Sequence, residues 1–229
     1  TADLYRQFRS RGMDRQVFAY LYDEPHRLWQ IRQLAALSRR LKKTCPDLPQ
    51  LAAIGSPAMV RRVLDDDVPV NTIVAHCSYY DPAMHRRIID SGRKFWWYTS
   101  NWPSSHLSFW VDEPCLHHRI LYWLTWRHRV DGFGYWNTSA WDYQAYGYDN
   151  VACGRQMQWP YSDWNITPGG KWGSGSGDGQ LVYPGPEGPI GSLRFECIRH
   201  GAQDHACLSL LEQQRTRLSR AGIRELDRF

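Results

Sequence analysis

Five short apolar runs rich in β-branched and aromatic residues, at positions 17–22, 48–54, 71–77, 94–99 and 133–137, punctuate the first 140 residues of this 229-residue chain. Segments with helical spacing follow several of them: Leu28, Ile31, Leu34, Leu37 and Leu41 after the first run, then residues 84–90 and 116–126. Runs of this length read as strands, and the i, i+3, i+4 pattern between them reads as helices packed on a sheet. Strand–helix alternation calls for parallel β/α units, the step that builds an α/β barrel. The expected fold class is therefore α/β, a (β/α)8 TIM-type barrel with only its C-terminal part present, because the repeats cover fewer than eight units. One catalytic-domain fragment is expected over residues 1–229, with barrel units at about 15–140, a Gly/Pro/Trp-rich loop region at about 141–189 and a closing helix at about 190–229. Within the last parts, residues 180–183 read as a short strand and 190–214 as a helix interrupted at Gly201, followed by a solvated helical tail.

In a barrel of this kind catalytic side chains sit at the C-terminal ends of strands. The first run ends there in Asp23-Glu24-Pro25, two adjacent carboxylates and a proline. The same tripeptide has a plain local reading, with Asp23 as a helix N-cap, Glu24 as a first-turn acid and Pro25 as an early helical residue. A second copy, Asp112-Glu113-Pro114, follows an irregular segment instead of a strand-like run and reads as a helix start. The first copy is the site candidate. Because it comes so soon after Thr1, upstream strands are expected to be missing from this chain.

Aromatic residues make up 14% of the chain, with 12 Trp and 13 Tyr, many beside polar neighbours. Flat aromatic faces in a polar cleft suit the C–H faces of sugar rings, although a large core also consumes tryptophan. The formal charge of +5 is spread along the sequence, so no nucleic-acid site is read. No apolar stretch is long enough for a membrane span, and residues 1–15 do not read as a signal peptide. The six cysteines lack a CxxC pair and are expected to be free or buried thiols. His117 and His118 are helix neighbours that point in different directions, so no metal and no cofactor are expected. Residues 168–179 resemble a phosphate loop only superficially, since Trp172 follows Gly170-Lys171. Asn137-Thr138-Ser139 and Asn165-Ile166-Thr167 match glycosylation sequons, which matter in a eukaryotic secretory route.

Taken in order, YLYDEP (20–25), KFWWYTSNWP (94–103), VDGFGYWNTSAW (130–141), GDGQLVYPG (177–185) and SLRFECIRHGAQD (192–204) resemble the catalytic domain of glycoside hydrolase family 123. The resemblance covers nearly the whole chain, from a mid-barrel strand to the C-terminal helix. It implies a retaining exo-β-N-acetylgalactosaminidase acting on terminal sugars of a glycan or glycolipid, with the substrate's own 2-acetamido group as nucleophile, in a secreted or periplasmic setting. Carried over, Asp23 matches the acetamido-orienting Asp and Glu24 the general acid/base. Gln203 and His205 depart from the family, which usually shows an acidic and an aromatic residue there. Around the acids, Tyr22, Trp97, Tyr98 and Asn101 on one side and Tyr135, Trp136 and Asn137 on the other are the expected substrate-binding residues. Side chains alternate along a strand, so only one of Trp96 and Trp97 is expected to face the sugar. The competing readings are a glycosidase for another sugar that recruits Asp112 or Asp81 as second carboxylate, and a non-catalytic carbohydrate-binding protein.

Overall fold

The structure, a computed structural model, describes residues 2–100, 107–140 and 177–228. Asn101, Cys153, the sequon at Asn165 and most of the Gly-rich stretch lie outside the described residues. The chain divides into two compact units, residues 1–98 and 99–229.

The first unit runs α1 (Ala2–Ser10), β1 (Ala19–Tyr20), α2 (Leu28–Thr44), β2 (Gln50–Ile54), α3 (Pro57–Asp65), β3 (Thr72–His76), α4 (Pro82–Asp90) and β4 (Lys94–Thr99). Strands β1 to β4 pair in chain order and all in parallel. Every residue of β2 and β3 is buried, which is why these strands appear in the sequence as continuous apolar runs and not as alternating ones. The fold class is thus α/β with parallel strands joined by helices, compatible with part of a TIM-type barrel.

The helices start where local chemistry allows. Ser56 accepts the Met59 amide and Pro57 occupies the first turn of α3; Asp81 accepts the Ala83 amide at 3.0 Å ahead of Pro82 in α4. No helix is expected from the sequence between residues 54 and 71, yet α3 forms there, and the Ser-Pro pair is the signal for it. In α2 the buried stripe is Ile31, Leu34, Ala35 and Ser38, while Leu28 and Leu37 remain exposed.

Period-two alternation sorts β4. Trp96 and Tyr98 pack on the face that carries Leu51, Ala53 and Val74. Phe95 and Trp97 are buried on the opposite, helix-covered face, where Tyr80 approaches both rings and His85 of α4 packs on Phe95.

The second unit contains α5 (Cys115–Arg127), β5 (Gly132–Tyr135), the antiparallel pair β6 (Val182–Tyr183) and β7 (Ile190–Gly191), α6 (Leu193–Gln213) and α7 (Arg220–Arg228). The expected helix from residue 190 gives way to β7 for two residues, and Ser192 then caps α6 by accepting the Phe195 amide at 3.1 Å. Gly201 does not interrupt α6. A Cβ there would lie 2.8 Å from both the Arg119 carbonyl oxygen and Tyr122 Cδ2, so the glycine is where α5 and α6 touch backbone to backbone. One turn on, Asp204 accepts from the Arg119 guanidinium and from Trp123 Nε1 at 2.7 Å, which locks the register of the helix pair. Helix α7 is docked, with Leu226 buried and Asp227 bonded to Arg215 at 2.6 Å. No described helix is long and apolar enough to cross a membrane.

Candidate functional site

The candidate acids owe their placement to one extra residue in a strand. The amides of Ala19 and Leu21 donate to Pro49 and Leu51 carbonyls at 2.8 Å, as a parallel ladder requires. The next ladder bond should reach the Leu21 carbonyl, but Ala53 donates to Tyr22 at 3.2 Å, and Glu24 in turn donates to Ala53 at 3.1 Å. Residues 21 and 22 together therefore oppose a single residue of β2, which is a β-bulge. This ends β1 earlier than the run 17–22 suggests and shifts the phase of the side chains beyond it. Tyr20 and Asp23, on opposite faces of a regular strand, come onto the same side, and the Tyr20 hydroxyl donates to Asp23 Oδ1 at 2.7 Å. Glu24 then adopts φ 44°, a left-handed conformation that a long side chain occupies only under constraint.

From there the Glu24 carboxylate reaches across to β4 and accepts the Tyr98 hydroxyl, a partner 74 residues away. His26 Nε2 lies 3.9 Å from the other Glu24 oxygen. Partial burial pushes the Glu24 carboxyl up from its usual range, the Asp23 anion adds to the push, and His26 pulls partly the other way. The Tyr20 phenol is pushed well up too, by burial first and by Asp23 second, so it stays a donor. Neither acid caps α2. The amides just ahead of it, those of His26 and the cap residue Arg27, both donate to Gln30 Oε1 at 2.9 Å. The capping alternative for the first tripeptide is therefore not what this chain adopts.

The remaining expected site residues fall as follows. The Tyr22 hydroxyl donates to Gln33 Oε1 at 3.1 Å and ties the acid loop to α2. Tyr98 touches Glu24 directly. Trp97 lies on the helix-covered face of β4, so Trp96 is the member of the pair that shares the face of Tyr98; alternation decides this, and Lys94, the strand's exposed first residue, sets its phase. His76 is an addition. Its ring stands edge-on to Tyr98 with centroids 5.2 Å apart, and its Nδ1 accepts from the Ser78 amide.

In the second unit Tyr135, at the end of β5, donates to Asp178 Oδ1 at 2.7 Å and accepts the Gly179 amide at 2.7 Å. Trp136 donates to Asp178 Oδ2 at 3.0 Å while the residue stays 42% exposed. Gly179 has φ +74°, and a Cβ there would stand 2.3 Å from the Trp136 ring, so only glycine lets the indole lie against this turn. Burial and Asp178 both raise the Tyr135 phenol. Asn137 Oδ1 accepts the Ser139 amide at 2.9 Å in a local turn. The buried Asp178, absent from the sequence reading, is the organiser of this cluster. Buried Arg194 stiffens the same loop by donating to the Phe109, Gly177 and Gln180 carbonyls. A cleft of about 360 Å³ lined by residues of α5, α6 and α7 is elsewhere in the second unit, and two of its three acids, Glu212 and Asp227, are ion-paired with Arg215.

An acid raised in pKa, bonded to a tyrosine and next to a second carboxylate is equipped for proton transfer. The catalytic-domain model of glycoside hydrolase 123 matches residues 2–211. The chain belongs to glycoside hydrolase family 123. As a glycoside hydrolase it acts on a carbohydrate substrate. A search of curated proteins gives no match.

One further cluster of chemistry-bearing side chains lies in the second unit. Cys115, His118 and Cys197 bring their ligating atoms within 4.8 Å of one another, on α5 and α6. The adjacent pair His117-His118 is the wrong place to look, since His117 turns away to pair with Glu113 at 2.5 Å. Cys115-x-x-His118 is the pattern that places two ligands on one helix face.

Proposed function

We propose that this domain is the C-terminal part of a (β/α)8 barrel and a retaining, exo-acting β-N-acetylgalactosaminidase that uses the 2-acetamido oxygen of its substrate as nucleophile. The observation that carries the proposal is the contrast between two adjacent carboxylates: Glu24, half-buried, pushed toward its protonated form and bonded to Tyr98, and Asp23, exposed and bonded to Tyr20.

In the first step Glu24 gives its proton to the leaving oxygen while the acetamido oxygen closes on the anomeric carbon. The positive charge passes through an oxocarbenium-like state into an oxazolinium ring, and Asp23 accepts the acetamido N–H and offsets that charge. In the second step the Glu24 carboxylate takes a proton from water, which attacks the anomeric carbon and reopens the ring, so the configuration is retained. A conventional pair of carboxylates across the sugar is then unnecessary. Asp81, one candidate for such a partner, is committed to capping α4. Within the second unit, Trp136, anchored through its Nε1 and partly exposed, is suited to stack on a sugar ring.

The test compares aryl β-glycosides that differ only at carbon 2. Hydrolysis of the 2-acetamido sugar with negligible turnover of the 2-hydroxyl sugar is expected, together with inhibition by a thiazoline that mimics the cyclic intermediate. Equal turnover of both sugars, or a covalent glycosyl-enzyme trapped with a 2-fluoro sugar, overturns the mechanism.

A further inference from the structure

The helix pair α5–α6 meets more closely than two helices with ordinary side chains at the contact would, because Gly201 admits the Arg119 backbone. Four residues before Gly201 on α6 is Cys197, and four before Arg119 on α5 is Cys115. The close crossing therefore brings two thiols face to face, and His118 stands one turn from Cys115 on the same helix face. The ligating atoms of the three residues lie within 4.8 Å of one another.

His118 supplies the second observation. The residue is 1% exposed. Its Nε2 lies 3.0 Å from the Trp110 carbonyl oxygen, which requires that nitrogen to carry the proton. Nδ1 then bears the lone pair, and it is buried without a hydrogen-bond partner among the described residues. A buried acceptor without a partner carries a cost of about 1–3 kcal/mol, so its retention asks for an explanation. A histidine whose outer N–H is fixed by a backbone carbonyl and whose other nitrogen faces soft donors has the arrangement of a metal ligand with its supporting bond in place.

We propose that Cys115, His118 and Cys197 form a binding site for a thiophilic divalent ion of the Zn²⁺ class, clamping α5 to α6, with solvent at the fourth position. Tetrahedral zinc spaces its sulfur and nitrogen ligands roughly 3.5–3.8 Å apart, so an inward shift of about 1 Å closes the site. Each thiol releases one proton to solvent on ligation, and the neutral imidazole releases none. Burial keeps His118 below the ordinary imidazole range, which favours the neutral ligand. Burial and the Cys115 thiol raise the Cys197 thiol, Arg119 opposing them only in part, so the ion itself must draw off that proton. Cys115 is exposed and gives the ion its path in.

The experiment uses the 229-residue chain, reduced and stripped of metal, titrated anaerobically with Co²⁺. One equivalent is expected to produce a thiolate-to-cobalt charge-transfer band in the near ultraviolet and the visible bands of tetrahedral cobalt, both displaced by Zn²⁺. Zn²⁺ alone is expected to raise the Tm. C115S and C197S should each cut the charge-transfer intensity by about half and weaken binding at least tenfold, and H118Q should weaken it about 10–100-fold. C207S, an exposed thiol elsewhere on α6, should change nothing. Because Cys115 is exposed, C115S keeps the fold and remains decisive if H118Q does not fold. A band that keeps its full intensity and affinity in C115S, or no band at large excess of cobalt, overturns the proposal. So does a Cys115–Cys197 disulfide that forms in air as readily with Zn²⁺ as without it, since that outcome makes the pair a redox couple.

Discussion

The chain contains Asp-Glu-Pro twice, and the two copies do different things. At Asp112-Glu113-Pro114 the backbone leads directly into α5: Pro114 takes the cap position, and Glu113 pairs with His117, four residues on. At Asp23-Glu24-Pro25 the bulge and the left-handed Glu24 send one carboxylate across β2 and β3 to Tyr98 on β4, and keep both off the amides of α2. Identical side chains thus become a helix entrance in one place and a candidate acid pair in the other. The difference lies in the backbone that delivers them, and in whether the partner is one turn away or 74 residues away.

The largest expected effect separates the two glutamates. Glu24→Gln is expected to lower kcat/KM on poorly activated aryl glycosides by about 10²–10⁴, the usual worth of a positioned acid, while Glu113→Gln leaves turnover unchanged. Comparable losses from both substitutions would erase the contrast. Next comes Asp23→Asn against Asp112→Asn, with a loss of about 10²–10³ on 2-acetamido substrates expected only for the first. The same variant tests the electrostatics. The Asp23 anion helps to raise Glu24, so removing it lowers the Glu24 pKa, and the protonated acid is then lost at a lower pH. The basic limb of the pH–rate profile moves down, which carboxyl NMR titration can follow in parallel. A limb that stays put separates Glu24 from that ionisation.

Tyr98→Phe removes the donor to Glu24 and is expected to cost about tenfold in kcat/KM, in line with a hydrogen bond to a charged group. Phenylalanine keeps the ring beside His76, so the thermal midpoint should hold, and a collapse in stability would make Tyr98 a packing residue. The smallest effect belongs to the second copy: His117→Gln removes the Glu113 partner and is expected to cost less than about 1 kcal/mol by chemical denaturation, with activity unchanged.

The order of strands and helices is legible in the chain because burial on both faces writes itself as continuous apolar runs, and strand β4 falls on the predicted residues 94–99. Helix α3 escapes although it is no shorter than α4, which is legible, and Ser56-Pro57 is the signal that announces it. Gly201 misleads, since a glycine that breaks a helix and one that lets two helices meet look alike in one dimension. For the site, the tripeptide and Tyr98 can be read as motifs. The bulge cannot, because hydrogen-bond register is not a property of residue types, and with it goes the reason for the Tyr20–Asp23 bond. The side that Trp97 takes depends on the phase of β4. Asp178 lies within a quoted motif, GDGQLVYPG, but its importance rests on contacts with Tyr135 and Trp136 some 42–43 residues earlier.

The extra residue at positions 21–22 has a consequence for related chains. A homologue that lost it would keep the letters of the acid pair and a normal-looking alignment, yet its two carboxylates would exchange sides of the sheet. If the acid pair works as proposed, such a chain would lack the acid chemistry, and counting one residue between Tyr20 and Asp23 instead of two would tell the two apart.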